Sequence, residues 1–99
     1  MVNFGILATM EAKPGKEDEV AAFLKSALPL VQAEPGTVAW FAVRFTPTSF
    51  AIFDVFPDQK ARDAHLGGEV AKALMARAPE LFDGPPEIER VDVLASKLS

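Results

Sequence analysis

The sequence contains no cysteine and only one histidine. Without cysteine there is no disulfide framework, no cysteine-ligated zinc and no thiol nucleophile. One histidine excludes a histidine-rich metal site, although carboxylates could still hold an ion. There is also no Gly-rich phosphate loop, no G-x-S-x-G elbow and no motif for flavin, haem or a transition metal. We therefore expect a protein without a cofactor or a metal.

Excess positive charge and long apolar runs are missing as well. The formal net charge is -4, and no basic stripe offers itself to phosphates, so we expect no nucleic acid partner. No apolar run is long enough to span a bilayer, and the first residues lack the basic region of a signal peptide. Together with the absence of cysteine, this favours a cytoplasmic protein that does not bind membranes.

The composition is that of a small globular protein. Its 99 residues are 49% hydrophobic and 24% charged, which predicts a single domain over residues 1–99. A domain of this size buries a limited core, and it has no disulfide or metal to support it. Self-association is the obvious additional source of stability.

Hydrophobic periodicity predicts the elements of the first half of the chain. Residues 2–12 alternate as a strand does, with Phe4, Ile6, Ala8 and Met10 on one face and Gly5, Leu7, Thr9 and Glu11 on the other. Apolar residues from Val20 to Val31 recur at helical spacing, and Pro29 predicts a kink in one helix rather than two separate helices. Residues 37–45 are rich in β-branched and aromatic side chains and predict a second strand.

The second half repeats this order of elements. Residues 50–56 form a third strand, joined to the second by a turn short enough for a hairpin. Asp58 is a plausible N-cap of the next helix, which Gly67-Gly68 interrupts and Glu69 restarts. Residues 87–95 alternate again and predict the last strand. The order β-α-β-β-α-β is that of a ferredoxin-like α+β fold, with one antiparallel sheet and both helical segments on one face.

The other sheet face has no helix to cover it. In the register that we expect, this face carries Leu7, aromatic residues of the second strand, and Phe50, Ile52 and Phe56. An apolar face of that size does not stay in water on a small monomer. We therefore predict a homodimer in which the two sheets pack together, with any remaining space forming a ligand cavity.

Two residues carry the chemistry of the candidate site. Asp54 lies within an apolar strand, where a carboxylate is costly unless it is paired or faces a wet cavity. It could orient a substrate or His65, or it could form a structural ion pair with Arg44 or Arg90. His65 could be a general base, since imidazole titrates near neutral pH, or a structural side chain bonded to the backbone. If it is the base, His65→Ala should lower turnover and leave the fold intact.

Apolar and small polar side chains could complete a binding pocket. Trp40, Phe50 and Phe56 could stack on a flat aromatic molecule, or they could simply fill the core and the dimer interface. Leu7 lies on the face expected to form the cleft, and Thr9 could supply a polar contact there.

The motifs resemble those of the antibiotic biosynthesis monooxygenase family. They are Lys13-Pro14-Gly15-Lys16 after strand one, Glu34-Pro35-Gly36 before strand two, the acid-bearing strand 50–56, and Ala64-His65 on the next helix. The resemblance covers nearly the whole chain. It implies a dimeric α+β barrel. The family often has tyrosine where this chain has Trp40, and glutamate and tryptophan where it has Asp54 and Phe56.

The resemblance also implies a function. We expect a cofactor-independent monooxygenase that uses O₂ to oxidise a phenolic or polycyclic aromatic substrate to a quinone, with His65 as the base and Asp54 orienting it or the substrate. The alternative is a non-catalytic dimer of the same fold that binds a small apolar aromatic metabolite.

Overall fold

A four-stranded antiparallel sheet, covered by helices on one face, forms the framework of the protein. The computed structural model describes residues 2–98. The ferredoxin-like order predicted from the sequence is confirmed, with each helical layer divided into two segments. The elements are β1 (Phe4–Glu11), α1 (Glu17–Ser26), α2 (Leu28–Gln32), β2 (Ala39–Arg44), β3 (Ser49–Phe56), α3 (Gln59–Leu66), α4 (Glu69–Leu81) and β4 (Glu87–Asp92).

The strands lie in the order β2-β3-β1-β4, so β2 and β4 are the edges. In the register, Asp54 of β3 pairs with Ile6 of β1 and with Trp40 of β2, which places these three residues on one face. Because successive residues of a strand point to opposite faces, this register fixes the face of every other residue in the sheet.

The helices cover the face that carries Asp54. The buried core there combines alternate residues of β1 and β3 with the inner sides of α1 and α4. Its main members are Ala8, Met10, Val20, Leu24, Phe50, Ile52, Leu74 and Leu81. Phe50, Ile52 and Phe56 are thus buried under the helices, and our placement of them on the helix-free face was wrong. β3 is apolar at both parities, so alternation along the chain could not assign its faces.

The helix-free face carries fewer aromatic side chains than we expected, but it is still apolar toward edge strand β2. Leu7 pairs with Phe53, which pairs with Phe41, and Thr9 pairs with Ala51 on the same face. Phe41 and Val43, on edge strand β2, are 54% and 47% exposed. On the opposite edge, β4 contributes two exposed glutamates to this face, Glu87 and Glu89.

The breaks in the helices follow from backbone chemistry. α1 ends at Ser26 and α2 begins at Leu28, so Pro29 lies in the first turn of a new helix, where no amide donor is needed. This corrects our expectation of one kinked helix. Asp58 caps α3 as predicted, since its Oδ1 accepts a hydrogen bond of 2.8 Å from the Ala61 amide. Across residues 2–98, no helix is both long and apolar enough to cross a membrane.

Candidate functional site: an aromatic cleft and a buried carboxylate–histidine cluster

A cleft of about 610 Å³ opens between the first helical layer and edge strand β2. We call it the aromatic cleft. Two aromatic side chains of the helix-covered face, Trp40 and Phe50, lie in its wall, and the other residues of that face are aliphatic or cationic. It is lined by Ala21, Leu24, Lys25, Leu28, Trp40, Phe41, Ala42, Val43, Arg44 and Phe50. Aromatic side chains in such a cleft suit a flat apolar ligand, which they can hold by stacking.

The only charged groups that line the aromatic cleft are cations. The Arg44 guanidinium lies over the Phe50 ring, 4.9 Å from its centroid. Lys25 approaches from the last turn of α1. No carboxylate is among the lining residues.

Beneath the helices, His65 lies between two carboxylates. Its Nδ1 is 2.6 Å from Oε1 of Glu34, and its Nε2 is 2.9 Å from Oδ2 of Asp54. The same Glu34 oxygen accepts a 2.7 Å hydrogen bond from the Thr37 hydroxyl. We call Glu34, Asp54 and His65 the carboxylate–histidine cluster. It joins the loop after α2, strand β3 and helix α3, which meet nowhere else through charged groups in the described chain.

The cluster favours a protonated imidazole. Burial of His65, which is 8% exposed, disfavours the cation. The contacts with Asp54 and Glu34 act in the opposite direction and outweigh burial, so the pKa of His65 is raised above its ordinary value of 6.5. An imidazolium here can direct one N–H toward each carboxylate, and it then has no free lone pair.

Asp54 is the least satisfied member of the cluster. It is fully buried, and apart from the 2.9 Å approach of its Oδ2 to His65 Nε2, neither of its oxygens has a hydrogen-bond partner within residues 2–98. The indole N–H of Trp40, its cross-strand neighbour, is also buried without an acceptor. A buried donor and a buried acceptor therefore stay unpaired on adjacent strands of the same sheet face. Phe56 is packed against the other side of the cluster, with its ring centroid 5.4 Å from that of His65.

A second cleft of about 360 Å³ lies on the outer side of the cluster. His65 and Glu34 form part of its wall, together with small residues of α3 such as Ala61 and Ala64. Gly36 sits against α3 so closely that an added Cβ would lie 2.9 Å from the Ala61 Cβ. The loop that carries Glu34 is thus held against α3 by both a charged contact and a tight backbone approach.

The residues predicted from the sequence do not form one site. Trp40 and Phe50 line the aromatic cleft, as a substrate-binding role requires. His65 and Asp54 contact each other, but His65 borders the second cleft and Asp54 borders neither. The remaining three lie elsewhere: Phe56 is buried in the core, and Leu7 and Thr9 are on the helix-free face.

Sequence reasoning gave no role to Glu34, Lys25 or Arg44 within a site. Glu34 is 31 positions from His65, and no local spacing links the two. Arg44 was considered only as an ion-pair partner of Asp54, which instead meets His65. Arg44 ends a strand that is rich in aromatic and aliphatic residues. This position could have indicated a charged group beside an apolar wall.

Comparison with known proteins agrees with this fold. The model of the antibiotic biosynthesis monooxygenase family matches residues 3–77. A protein of unknown function from Nitrosomonas europaea is 52% identical, with a TM-score of 0.97, and the match covers 100% of this chain and 96% of that one. No curated protein matches the chain.

More distant structures share the fold alone. A protein from Mycobacterium tuberculosis has a TM-score of 0.82 at 18% identity, with 94% of this chain and 96% of that chain covered. A candidate antibiotic biosynthesis monooxygenase from Caulobacter crescentus has a TM-score of 0.80 at 23% identity, with coverages of 95% and 92%. The match of the family model over most of the chain shows that this protein belongs to the antibiotic biosynthesis monooxygenase family.

Proposed function

We propose that the protein is a cofactor-independent monooxygenase that oxidises a phenolic or polycyclic aromatic substrate with O₂. The observation that carries the proposal is the aromatic cleft, where the Trp40 and Phe50 side chains of the helix-covered face suit a flat ring system. Family membership adds support for oxygen chemistry.

The reaction balances without a further reductant. A ring CH₂ or a C–H para to a phenol becomes a carbonyl, and the substrate gives up four electrons to O₂. One oxygen atom enters the product and the other leaves as water. The substrate must first lose a proton, because its anion is the form that transfers an electron to oxygen. The protein would supply a dry pocket, a proton acceptor and groups that stabilise the anion.

In this proposal His65 is the proton acceptor and Asp54 orients it. Neither residue lines the aromatic cleft, and His65 borders the second cleft, so the proton would have to reach His65 through water. Only the neutral ring has a lone pair that can accept a proton. Because the pKa of His65 is raised above its ordinary value of 6.5, the neutral form requires a higher pH than in an ordinary histidine. Oxygen uptake should then increase with pH through the raised pKa.

The direct test measures oxygen uptake with a panel of hydroquinones and anthrones, in the presence of a chelator. The proposal predicts uptake above the uncatalysed rate for at least one member. With an anthrone, or with a phenol that has hydrogen at the para position, labelled ¹⁸O₂ should place one labelled atom in the product; a hydroquinone already has both oxygens and would show uptake without incorporation. No uptake across the panel, while the same compounds bind to the protein, would replace the proposal with its alternative.

That alternative is a non-catalytic protein that binds a small aromatic metabolite. It is favoured by one observation: both ring nitrogens of His65 are engaged by carboxylates, as in a structural ion pair. Under this alternative, His65→Gln changes stability and leaves ligand binding in the aromatic cleft unchanged.

We also propose that two copies associate through the helix-free face. The exposed Phe41 and Val43, with Leu7 and Phe53 beside them, provide an apolar patch on the only sheet face that the described helices leave open. Sedimentation of a monomer at micromolar concentration would exclude this assembly.

A further inference from the structure

We infer that the ligand of the aromatic cleft is an aromatic anion, held through its negative group by Arg44 and Lys25. The inference rests on the proposed function only in taking this cleft as the ligand site. It adds a requirement for charge that neither the fold nor the family membership supplies.

The first argument is the charge of the walls. The chain as a whole has a formal net charge of -4, yet the only charged residues that line the cleft are Arg44 and Lys25. A negatively charged protein that places two cations, and no acid, around an apolar cavity has created a local positive potential. Such a potential raises the local concentration of anions and selects against cations.

The second argument is that these cations have no ion-pair partner among the described residues. Across residues 2–98, the ion pairs involve Lys16, Lys72, Arg77, Arg90 and His65, and none involves Arg44 or Lys25. Neither side chain donates a hydrogen bond to another described residue. Both heads are therefore available to a ligand without breaking an existing contact.

The third argument is the placement of Arg44. Its guanidinium is 4.9 Å from the centroid of the Phe50 ring, and that ring also lines the cleft. Phe50 is 2% exposed and cannot move far. Stacking on a fixed ring limits the orientations of the guanidinium, so less entropy is lost when it pairs with a carboxylate or phenolate. The planar guanidinium can meet a carboxylate with two parallel hydrogen bonds.

The apolar walls and the cations thus require two parts in one ligand. The ring system packs on Trp40 and the aliphatic residues, while the anionic group reaches the rim where Arg44 and Lys25 lie. Aromatic carboxylates and acidic phenols have this form. In the proposed reaction, the same cations would lower the pKa of a phenolic substrate and stabilise its anion.

A binding experiment tests the inference without turnover. The probes are 2-naphthoate and 2-naphthamide, which match in shape and differ in charge, and neither has the hydroxyl group that oxidation requires. Trp40 is the only tryptophan and the chain has no tyrosine, so its fluorescence reports on this cleft; calorimetry provides an independent affinity. The variants are Arg44→Gln, Arg44→Lys and Lys25→Gln, with Lys60→Gln as a control that removes a cation outside the cleft.

We expect naphthoate to bind about tenfold more tightly than naphthamide. Arg44→Gln and Lys25→Gln should each weaken naphthoate binding by about fivefold, leave naphthamide binding nearly unchanged and reduce the salt dependence. Arg44→Lys should restore part of the affinity, and Lys60→Gln should change it by less than about twofold. Equal affinity for the two probes, no binding of either, or insensitivity to both substitutions would overturn the inference.

Failure of this inference can be told apart from failure of the proposed function. Charge-dependent naphthoate binding without oxygen uptake on hydroxylated analogues would retain the anion site and exclude the oxygenase. Uptake with neutral substrates that is unaffected by Arg44→Gln and Lys25→Gln would retain the oxygenase and exclude the anion site.

Discussion

Removal of His65 is the perturbation whose consequence the structure defines most sharply. Within residues 2–98, His65→Ala deletes the one cationic side chain that forms an ion pair with Asp54, which is fully buried. A carboxylate left in the interior without its partner costs about 3–5 kcal/mol. Glu34 also loses its contact, but it is 20% exposed and can be solvated, so it adds little. For a chain of 99 residues, this loss corresponds to a fall of roughly 15–25 °C in the melting temperature.

The contacts thus alter the expectation, drawn from the sequence, that His65→Ala would leave the fold intact. A second substitution tests whether the unpaired charge of Asp54 is the cause of the loss. Asp54→Asn in the His65→Ala background removes the stranded charge, so it should raise the melting temperature of that variant. Thermal unfolding followed by circular dichroism measures both changes. A fall of less than about 5 °C for His65→Ala, or a further fall on adding Asp54→Asn, would refute the reasoning.

The pH dependence of stability follows from the same cluster. The pKa of His65 is raised in the folded protein above its ordinary value of 6.5, so folding and proton binding favour each other. The contribution to the unfolding free energy is then fully present below about pH 6.5 and is lost as pH rises through the folded-state pKa. We expect His65→Gln to remove this alkaline decline. Because His65 is the only histidine, its ring signals in an NMR titration report the pKa without ambiguity.

Three further predictions concern other parts of the structure. Gly36→Ala should destabilise the protein by about 1–3 kcal/mol, because the new Cβ would lie 2.9 Å from the Ala61 Cβ and both atoms are fixed to the backbone. Denaturant unfolding measures this loss, and an unchanged midpoint would contradict the close approach. Trp40→Phe should change stability by less than about 1 kcal/mol, because it removes an unpaired buried N–H along with apolar area; a larger loss would show that the N–H is satisfied. Leu7→Glu should convert the proposed dimer into a monomer in sedimentation. Leu30→Glu, an exposed position in α2 and so outside the helix-free face, is the control and should remain a dimer. A dimer of the Leu7→Glu variant would exclude that interface.

The alternation in β1 predicted its faces correctly because one parity carries the large buried side chains. Phe4, Ile6 and Ala8 share one face of β1, as the pattern indicated, and the pairing with β4 adds Arg90 to that face. β3 is a central strand with Ala51 and Val55 buried on one face and Phe50 and Ile52 on the other. A strand that is buried on both sides has no polar face, so its orientation depends on pairing with distant strands.

The candidate site was harder to predict, because its contacts are long-range. The sequence identified Asp54 and His65 as unusual, and the structure brings them together. It could not supply Glu34, which reaches His65 only because the loop after α2 folds back onto α3. The sequence also could not show that the aromatic cleft and the carboxylate–histidine cluster are separate, because their separation depends on how the helices pack on the sheet.

The most direct test of the account compares oxygen uptake after each cleft is filled in turn. Ala21→Phe places a ring in the aromatic cleft, and Ala64→Phe places one in the second cleft. If the substrate is oxidised in the aromatic cleft, Ala21→Phe should lower kcat/KM at least about tenfold, because the ring can no longer be seated, while Ala64→Phe stays near the wild-type value. Full activity in Ala21→Phe with loss in Ala64→Phe would contradict the account and would place the chemistry beside His65 and Glu34 instead.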